Sequence, residues 1–309
     1  MKILVMGSGG VGGYFGGRLA GAGHDVTFVA RGAHLEAMRR DGLVLDSQIG
    51  NLTVKPARAV ASASEAEPPE VVLFATKLGD TERAAQSLAP IVRDGTVIIT
   101  FQNGVDGPEI IGRALAKAHV VPGVARIASH ISRPGVIEHR SPFARIEFGE
   151  AGGRPSPWLE AFHAACKAAG IDAVISRDIQ RDVWLKFALL APFSGMTTLT
   201  GATAGPIRAT PGTRSLMEAA IREVIAVGFA AGVNIKPEDF ALVWKAVEGQ
   251  PPAMTSSMAH DRRAGKPLEV DYLSGAVVRL GERHGVPTPT HRFITQALSI
   301  VAGGEAKGS

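Results

Sequence analysis

The amino-acid sequence predicts an α/β N-terminal domain with a mostly parallel sheet, residues 1–176, followed by an all-α C-terminal domain, residues 177–309. Three observations lead to this prediction. The chain has 309 residues, which suits two domains of ordinary size better than a single core. Its N-terminal half alternates short aliphatic runs with helical patterns, as in parallel sheets that are buried on both faces. Its C-terminal part shows only the helical spacing of apolar residues.

The N-terminal domain is predicted to begin with a βαβ unit. Residues 2–6 are aliphatic without polar alternation, which is typical of a strand buried on both faces. A glycine-rich turn and a helical pattern that ends at Gly23 lead to a second strand over 25–30. Later strands are predicted at 71–76, 96–100, 120–124 and 172–175, and later helices at 81–88 and over a segment that starts within 153–157 and runs to 169. Residues 131–149, with short runs between Pro and Gly turns, predict an antiparallel extension at the sheet edge.

The C-terminal domain is predicted to contain only helices after about Ser176. Apolar residues recur at helical spacing in four segments, and no convincing strand lies between them. The predicted helices span residues 178–190, 211–232, 237–248 and 269–284.

Composition and charge exclude several classes of protein. With 45% hydrophobic and 20% charged residues, the chain has the balance of a folded protein, and no apolar stretch is long enough to cross a bilayer. The net charge is only +4 and the basic residues are scattered, so no basic stripe indicates a nucleic-acid partner. Residues 1–7 run into glycines too early for a signal-peptide core, and the single cysteine, Cys166, allows no internal disulfide. We therefore expect a cytoplasmic protein, and we predict no metal site.

A glycine-rich motif follows the first predicted strand. Gly7-Ser8-Gly9-Gly10-Val11-Gly12 fits the G-x-G-x-x-G fingerprint of dinucleotide-binding Rossmann folds. The first glycine permits the tight turn, the second lets the backbone approach the pyrophosphate, and the third lets helix and strand pack closely. The helix N-terminus also carries partial positive charge toward the phosphates. A glycine-rich chain can produce this pattern as a purely structural turn, but its place inside a βαβ unit favours a Rossmann-type domain.

Arg31 indicates which dinucleotide is bound. It follows the second predicted strand, where an NAD-preferring site usually places an acidic residue that accepts from the ribose 2′-hydroxyl. A guanidinium can instead pair with a 2′-phosphate, which an acidic side chain would repel. Although an ordinary surface arginine is the alternative, we predict NADP(H) as the cofactor.

Lys186 lies where a charged side chain is unexpected. Within the predicted helix, every residue from Val183 to Leu190 except Lys186 is apolar, so this part of the helix is expected to be buried. A buried ammonium is costly unless it is paired or lines a wet cleft, and burial lowers the pKa of a lysine, which makes it a better proton donor near neutral pH. A lysine that reaches the surface along its aliphatic stem explains the pattern equally well.

Glu269 is a second candidate for acid–base chemistry. It opens the predicted 269–284 helix on the side of Leu273 and Ala276, so its carboxylate points toward apolar surroundings. The simpler interpretation, which the pattern alone favours, is a first-turn acid that interacts with the helix dipole. Asp271 is off this stripe and is expected to be solvated or to cap the helix.

Six segments together resemble the ketopantoate reductase (2-dehydropantoate 2-reductase) family along nearly the whole chain. Their order and spacing are jointly specific, although none is decisive by itself. The segments are Gly7-Ser8-Gly9-Gly10-Val11-Gly12, Thr76-Lys77, Gln102-Asn103-Gly104, Trp184-Leu185-Lys186, Thr255-Ser256-Ser257-Met258 and Glu269-Val270-Asp271-Tyr272.

The resemblance implies a Rossmann domain, a helical domain and hydride transfer from NADPH to a 2-oxo acid. By position, Lys186 matches the family's catalytic lysine, which protonates the forming alkoxide. Glu269 matches the acid that hydrogen-bonds the substrate and helps to set the lysine. Ser257 matches a serine that binds the substrate carboxylate.

The resemblance also implies residues beside the cofactor. Asn103 and Lys77 match cofactor-binding and substrate-binding residues next to the nicotinamide. Arg31 matches the ligand of the 2′-phosphate, in agreement with its position after the second strand. The glycine-rich motif supplies the other cofactor-binding residues.

The sequence departs from the family pattern at the substrate. Where well-known members carry asparagines in the pocket, this chain has Leu190, Ser194 and Met254. An asparagine can hold a hydroxyl or carboxylate oxygen, whereas Leu and Met cannot, so discrimination in favour of a polar substrate should fall. We still expect these three residues to line the substrate pocket.

Three functions remain open. The leading one is the NADPH-dependent reduction of ketopantoate to pantoate, a step of pantothenate biosynthesis. The departures favour a second, the reduction of a more apolar 2-oxo or imino acid by the same chemistry. A third is a non-catalytic NADPH-sensing module, against which the retained Lys186 and Glu269 argue. The expected partner is a small 2-oxo acid, with no nucleic acid and no membrane, and a homodimer is plausible.

Overall fold

The computed structural model describes residues 1–304, which form two compact units. The sheet unit comprises residues 1–102 and 107–179, and the helical unit comprises residues 103–106 and the chain from 180 onward. The predicted boundary after Ser176 lies close to this division after residue 179, and residues 103–106, earlier in the chain, pack with the helical unit. Residues 305–309, the end of the predicted C-terminal domain, lie outside the described part.

The sheet unit alternates strands and helices. In chain order its elements are β1 (Lys2–Met6), α1 (Gly10–Gly21), β2 (Asp25–Val29), α2 (Gly32–Asp41), β3 (Leu43–Ser47), β4 (Leu52–Val54), β5 (Arg58–Val60), β6 (Val71–Phe74), α3 (Thr81–Leu88), β7 (Val97–Thr100), α4 (Gly107–Ala114), β8 (His119–Arg126), β9 (Ser129–Arg133), β10 (Val136–His139), β11 (Arg145–Phe148), α5 (Pro157–Ala168) and β12 (Asp172–Ile175).

Eight strands form the main sheet, in the order β12-β11-β8-β7-β6-β1-β2-β5. Every neighbouring pair is parallel except β8 and β11, so the predicted mostly parallel sheet is confirmed. Side chains of β1 alternate between two cores: Val5 packs in the cluster that contains Phe15, and Leu4 in the cluster that contains Phe74. Because both faces of β1 are covered, its sequence shows no polar alternation.

A second sheet of four strands has the order β4-β3-β10-β9. The antiparallel edge extension predicted over 131–149 is therefore only partly correct. Strand β11 does pair antiparallel with β8 in the main sheet, but β9 and β10 join β3 and β4 in the second sheet. The sequence does not predict β3, β4 and β5, since β4 and β5 have only three residues each and show no periodicity.

Helix α1 packs against both sheets, and glycines make these approaches possible. A Cβ on Gly10 would lie 2.2 Å from the carbonyl oxygen of Ser129 in β9, and one on Gly17 would lie 3.1 Å from a side chain of β3. On its other side, a Cβ on Gly16 would lie 2.4 Å from Val5 in β1. Side chains at these positions would push α1 away from one sheet or the other, and the loop before α1 would move with it.

The helical unit contains no strand among its described residues, which confirms the predicted all-α character. Its helices are α6 (Ile179–Thr200), α7 (Ala204–Ala209), α8 (Pro211–Ala230), α9 (Phe240–Glu248), α10 (Ser257–Arg263), α11 (Ser274–His284) and α12 (Pro289–Leu298). The sequence predicts only the first half of α6, and it does not predict α7, α10 or α12.

The predicted helix over 269–284 is broken in the structure. A 3₁₀ turn, Val270–Tyr272, precedes α11, and Leu273 between them has the non-helical backbone angles φ −104° and ψ −91°. Glu269 therefore lies before a tight turn and does not open the α-helix, which corrects the predicted first-turn position of this acid.

Candidate functional site

The glycine loop, residues 7–12, connects β1 to α1. Gly7 has a φ of +98°, which favours glycine, and a Cβ on Gly12 would lie 2.2 Å from the Gly7 carbonyl oxygen. Gly9 is the N-cap residue of α1, and no heavy atom lies within 4 Å of where its Cβ would be. The loop is thus tightly packed at its two ends and open in its middle, at a helix N-terminus. This geometry fits the approach of a phosphate group.

His34, on α2, holds the glycine loop. Its Nε2 donates a hydrogen bond to the Ser8 carbonyl oxygen at 3.0 Å, and its Nδ1 accepts one from the Gly135 N–H at 3.0 Å. The Ser8 hydroxyl also donates to the Val29 carbonyl oxygen at 2.9 Å. Burial lowers the pKa of His34, and the two hydrogen bonds require the neutral Nε2–H form. No sequence signal marks this residue, because its partners lie 26 and 101 positions away.

Arg31 and Lys77 follow β2 and β6, which flank β1 in the parallel sheet. The carboxyl ends of parallel neighbours meet at one sheet edge, so both residues lie at the edge that carries the glycine loop. Lys77 is exposed. The Arg31 side chain is 60% exposed, and its Nη1 lies 3.8 Å from Asp80 Oδ2. A guanidinium this accessible can pair with an added phosphate.

Gln102 joins the ends of β6 and β7. Its Nε2 donates to the Thr76 carbonyl oxygen at 3.1 Å and to the Thr81 hydroxyl at 2.8 Å, while its Oε1 accepts from the Thr100 hydroxyl at 3.1 Å. The residue is buried, with 9% of its surface exposed. Gln102 therefore fixes the chain just before Asn103, a role that the sequence motif does not reveal.

In the helical unit, Lys186 and Asn103 are brought together. Lys186 lies on α6 and its Nζ donates a hydrogen bond to Asn103 Oδ1 at 3.1 Å. Its neighbours Trp184 and Phe187 are buried, whereas Lys186 itself is half-buried. The ammonium is therefore neither enclosed in a dry core nor extended along the surface, and it is held by an amide oxygen.

Glu269 and Ser257 lie on other elements of the helical unit. Glu269 is 8% exposed, and its carbonyl oxygen accepts hydrogen bonds from Tyr272 N and Leu273 N, both at 3.1 Å, so the turn that follows it is fixed. Ser257 is the exposed first residue of α10. The N-cap of α10 is the preceding residue, Ser256, whose Oγ accepts from the Ala259 N–H at 3.1 Å. The Ser257 hydroxyl is thus not used as the helix cap.

The three residues that depart from the family pattern differ from one another in position and exposure. Leu190 and Ser194 follow Lys186 at intervals of four on α6, so the three share one helix face. Leu190 is half-buried, and Ser194 is 1% exposed with an Oγ that has no hydrogen-bond partner among the described residues. Met254 is 36% exposed, in the segment before α10.

The fold and the glycine loop are those of dinucleotide-binding proteins of the Rossmann class. Two family models match the sequence: ketopantoate reductase PanE/ApbA over residues 3–153, and ketopantoate reductase PanE/ApbA C terminal over residues 178–302. The chain belongs to the ketopantoate reductase family.

Individual relatives match along nearly their whole length. An uncharacterised oxidoreductase, YkpB, of Bacillus subtilis is 33% identical, with 97% of this chain and 98% of the relative covered. A 2-dehydropantoate 2-reductase of Mesorhizobium japonicum is 32% identical, with 97% of both chains covered. The crystal structure of a PanE/ApbA family ketopantoate reductase from Ralstonia eutropha has a TM-score of 0.90 at 29% identity, with 98% of each chain covered.

Other kinds of site are not supported within residues 1–304. No cluster of three or more His, Cys, Asp or Glu side chains there could hold a metal ion, and no helix there is both long and apolar enough to span a membrane. Cys166 is buried, and burial raises the pKa of its thiol to about 12, so it is not a thiolate nucleophile at neutral pH.

Proposed function

We propose that the protein is an NADPH-dependent reductase of a 2-oxo acid, with ketopantoate as the leading substrate and pantoate as its product. The observation that carries this proposal is the hydrogen bond between Lys186 Nζ and Asn103 Oδ1 at 3.1 Å. It holds an ammonium, the group needed to protonate an alkoxide, in a defined orientation on a largely apolar helix. Membership of the ketopantoate reductase family supports the reaction class.

The sheet unit has the residues to hold NADPH. The open middle of the glycine loop, at Gly9, would hold the pyrophosphate, and Arg31 would pair with the 2′-phosphate. Lys77 and Asn103 contact the nicotinamide half of the cofactor. When bound, NADPH supplies the hydride that reduces the substrate carbonyl carbon.

The residues of the helical unit supply the acid and the substrate contacts. As the carbonyl carbon gains a hydride, its oxygen becomes an alkoxide and takes a proton from Lys186 Nζ. The neutral amine then regains a proton from solvent before the next turnover. Glu269 accepts a hydrogen bond from the substrate, and the exposed Ser257 hydroxyl, at the N-terminus of α10, donates one to the substrate carboxylate.

Leu190 and Met254 support a second candidate function, the reduction of a more apolar 2-oxo acid. Leu190 is one helical turn from Lys186, so a substrate side chain near the reacting carbonyl meets a hydrocarbon surface there. Met254 adds a thioether that cannot hydrogen-bond a hydroxyl strongly. Both features favour an aliphatic or aromatic substituent over the hydroxyl of ketopantoate.

A panel of 2-oxo acids distinguishes these functions. NADPH oxidation is followed at about 340 nm with ketopantoate and with 2-oxo acids that carry branched aliphatic or aromatic side chains. Highest kcat/KM on ketopantoate supports the leading substrate, and highest kcat/KM on an apolar acid supports the second. The variant Leu190→Asn should shift the ratio toward ketopantoate, because the amide can bind a hydroxyl. Tight NADPH binding without turnover of any acid would contradict the proposal and favour the sensing module.

A further inference from the structure

The segment 103–106 is held in the helical unit by two side chains. Both of its chain neighbours, Gln102 and Gly107, belong to the sheet unit, yet the segment itself packs with the helical unit. At its start, Asn103 Oδ1 accepts from Lys186 Nζ at 3.1 Å. At its end, Asp106 Oδ2 accepts from Arg279 Nη2 at 2.8 Å.

Arg279 also holds the turn that follows Glu269. Its Nη1 donates to the carbonyl oxygen of Asp271 at 2.7 Å. Asp271 lies in the 3₁₀ turn Val270–Tyr272, which is tied back to the Glu269 carbonyl oxygen. One guanidinium on α11 is thus bonded to the segment that carries Asn103 and to the turn that begins after Glu269.

The chemistry of arginine suits this double contact. The guanidinium is planar and rigid, so two of its nitrogens fix two acceptors at a set distance and angle, which a single lysine ammonium cannot do. Arg279 is 52% exposed and Asp106 is 23% exposed, and ion pairs this accessible contribute little to global stability. We therefore expect this contact to fix the positions of the segment 103–106 and of the 3₁₀ turn, and not to raise the stability of the fold.

We propose that Arg279 is a positioning residue for the reaction: it holds Asn103 against the Lys186 ammonium and fixes the turn that follows Glu269. This inference rests on the proposed function, in which Lys186 is the proton donor. In this role Arg279 acts through the segment 103–106 and the turn, to which its two hydrogen bonds go.

Kinetics of Arg279→Ala test the proposal. Without the two Arg279 hydrogen bonds, Asn103 and Lys186 move away from their productive geometry. The kcat should therefore fall about tenfold or more, while KM for the 2-oxo acid changes by less than about threefold. Arg279→Lys should recover only part of kcat, since it can replace one contact but not both. The matched control is Arg283→Ala, an exposed arginine one turn later on α11, which should leave kcat unchanged.

A double variant shows whether Arg279 acts through Asn103. In an Asn103→Ala background, Arg279→Ala should reduce kcat by much less than it does in the wild type, because the side chain that it positions is already absent. The same loss in both backgrounds would overturn the role of Arg279 in holding Asn103.

Hydrogen exchange separates this inference from the proposed function. In Arg279→Ala, the backbone amides of 103–106 should exchange faster, while the melting temperature stays within about two degrees of the wild type. If the wild type reduces no 2-oxo acid, the proposed function fails. The exchange experiment still decides whether Arg279 holds the segment 103–106 in place. Unchanged exchange in 103–106, or an unchanged kcat in an active enzyme, would overturn the role of Arg279.

Discussion

Arg31 is the residue on which the choice of cofactor depends. We predict that Arg31→Ala weakens NADPH binding at least about tenfold and changes NADH binding by less than about twofold, because a charge-assisted bond to the 2′-phosphate is lost. Initial rates with each cofactor measure the two effects. The control is Arg83→Ala, which removes another exposed arginine that pairs with Asp80. Equal losses for the two cofactors would rule out the phosphate contact.

His34 tests whether the glycine loop must be held in place. We predict that His34→Ala weakens NADPH binding several-fold, because the Ser8 carbonyl oxygen and the Gly135 N–H each lose a partner. Fluorescence titration with NADPH measures the change. His163→Ala is the control, since His163 also bonds one backbone carbonyl, that of Ala173 at 3.0 Å, and should leave binding unchanged. NADPH affinity equal to that of the wild type would show that the loop needs no such support.

The lowered pKa of His34 adds a pH dependence with a definite sign. Protonation would place a proton on Nδ1, against the Gly135 N–H, and break that contact. The contact is therefore retained at neutral pH and is lost only as pH falls through a value below the ordinary histidine pKa of about 6.5. NADPH binding by the wild type should weaken on the acid side, and His34→Ala should lack this component.

At the scale of elements, the N-terminus of α12 shows how buried polar groups are satisfied. Glu223, on α8, is 9% exposed, and its carboxylate accepts hydrogen bonds from Thr290 N at 2.8 Å and His291 N at 3.0 Å. We predict that Glu223→Ala lowers the free energy of unfolding by about 2 kcal/mol, since two buried N–H groups lose their acceptor.

Urea denaturation measures this change against a control on the same helix. Glu218, also on α8, pairs with Arg214 in an exposed i,i+4 arrangement, so Glu218→Ala should cost about 0.5 kcal/mol or less. Equal costs for the two variants would show that Glu223 does not stabilise α12.

The sequence predictions are accurate where an element has a local signal, and they fail where the element depends on residues far away in the chain. The bounds of β1, α3 and β12 are predicted correctly, because continuous apolar runs and helical spacing are local signals. The second sheet is missed, since β3 and β10 pair across some ninety residues and no local pattern marks that pairing. The break at Leu273 is missed for a similar reason: the helical spacing continues across it.

At the scale of the whole molecule, the residues of the candidate site also differ in whether a local sequence pattern marks them. The glycine motif and Arg31 are predicted from local pattern, and Lys186 from its unexpected place in an apolar helix. His34 and Arg279 are missed because each bonds a group far away in the sequence, at Gly135 and Asp106, and no local pattern marks them. Gln102 lies in one of the matched segments, but its bond to Thr81 is not visible in that motif. Sequence patterns thus mark the residues proposed to contact ligands, whereas the residues that hold them in position are found only in the structure.

The central claim is that the Lys186 ammonium protonates the reduced substrate, and the kcat of Lys186→Ala tests it most directly. We predict a loss of at least about a hundredfold in kcat, the range for removal of a general acid, with NADPH affinity unchanged. Lys245→Ala, an exposed lysine on α9, is the matched control and should retain wild-type kcat. A Lys186→Ala enzyme that turns over at nearly the wild-type rate would contradict the account.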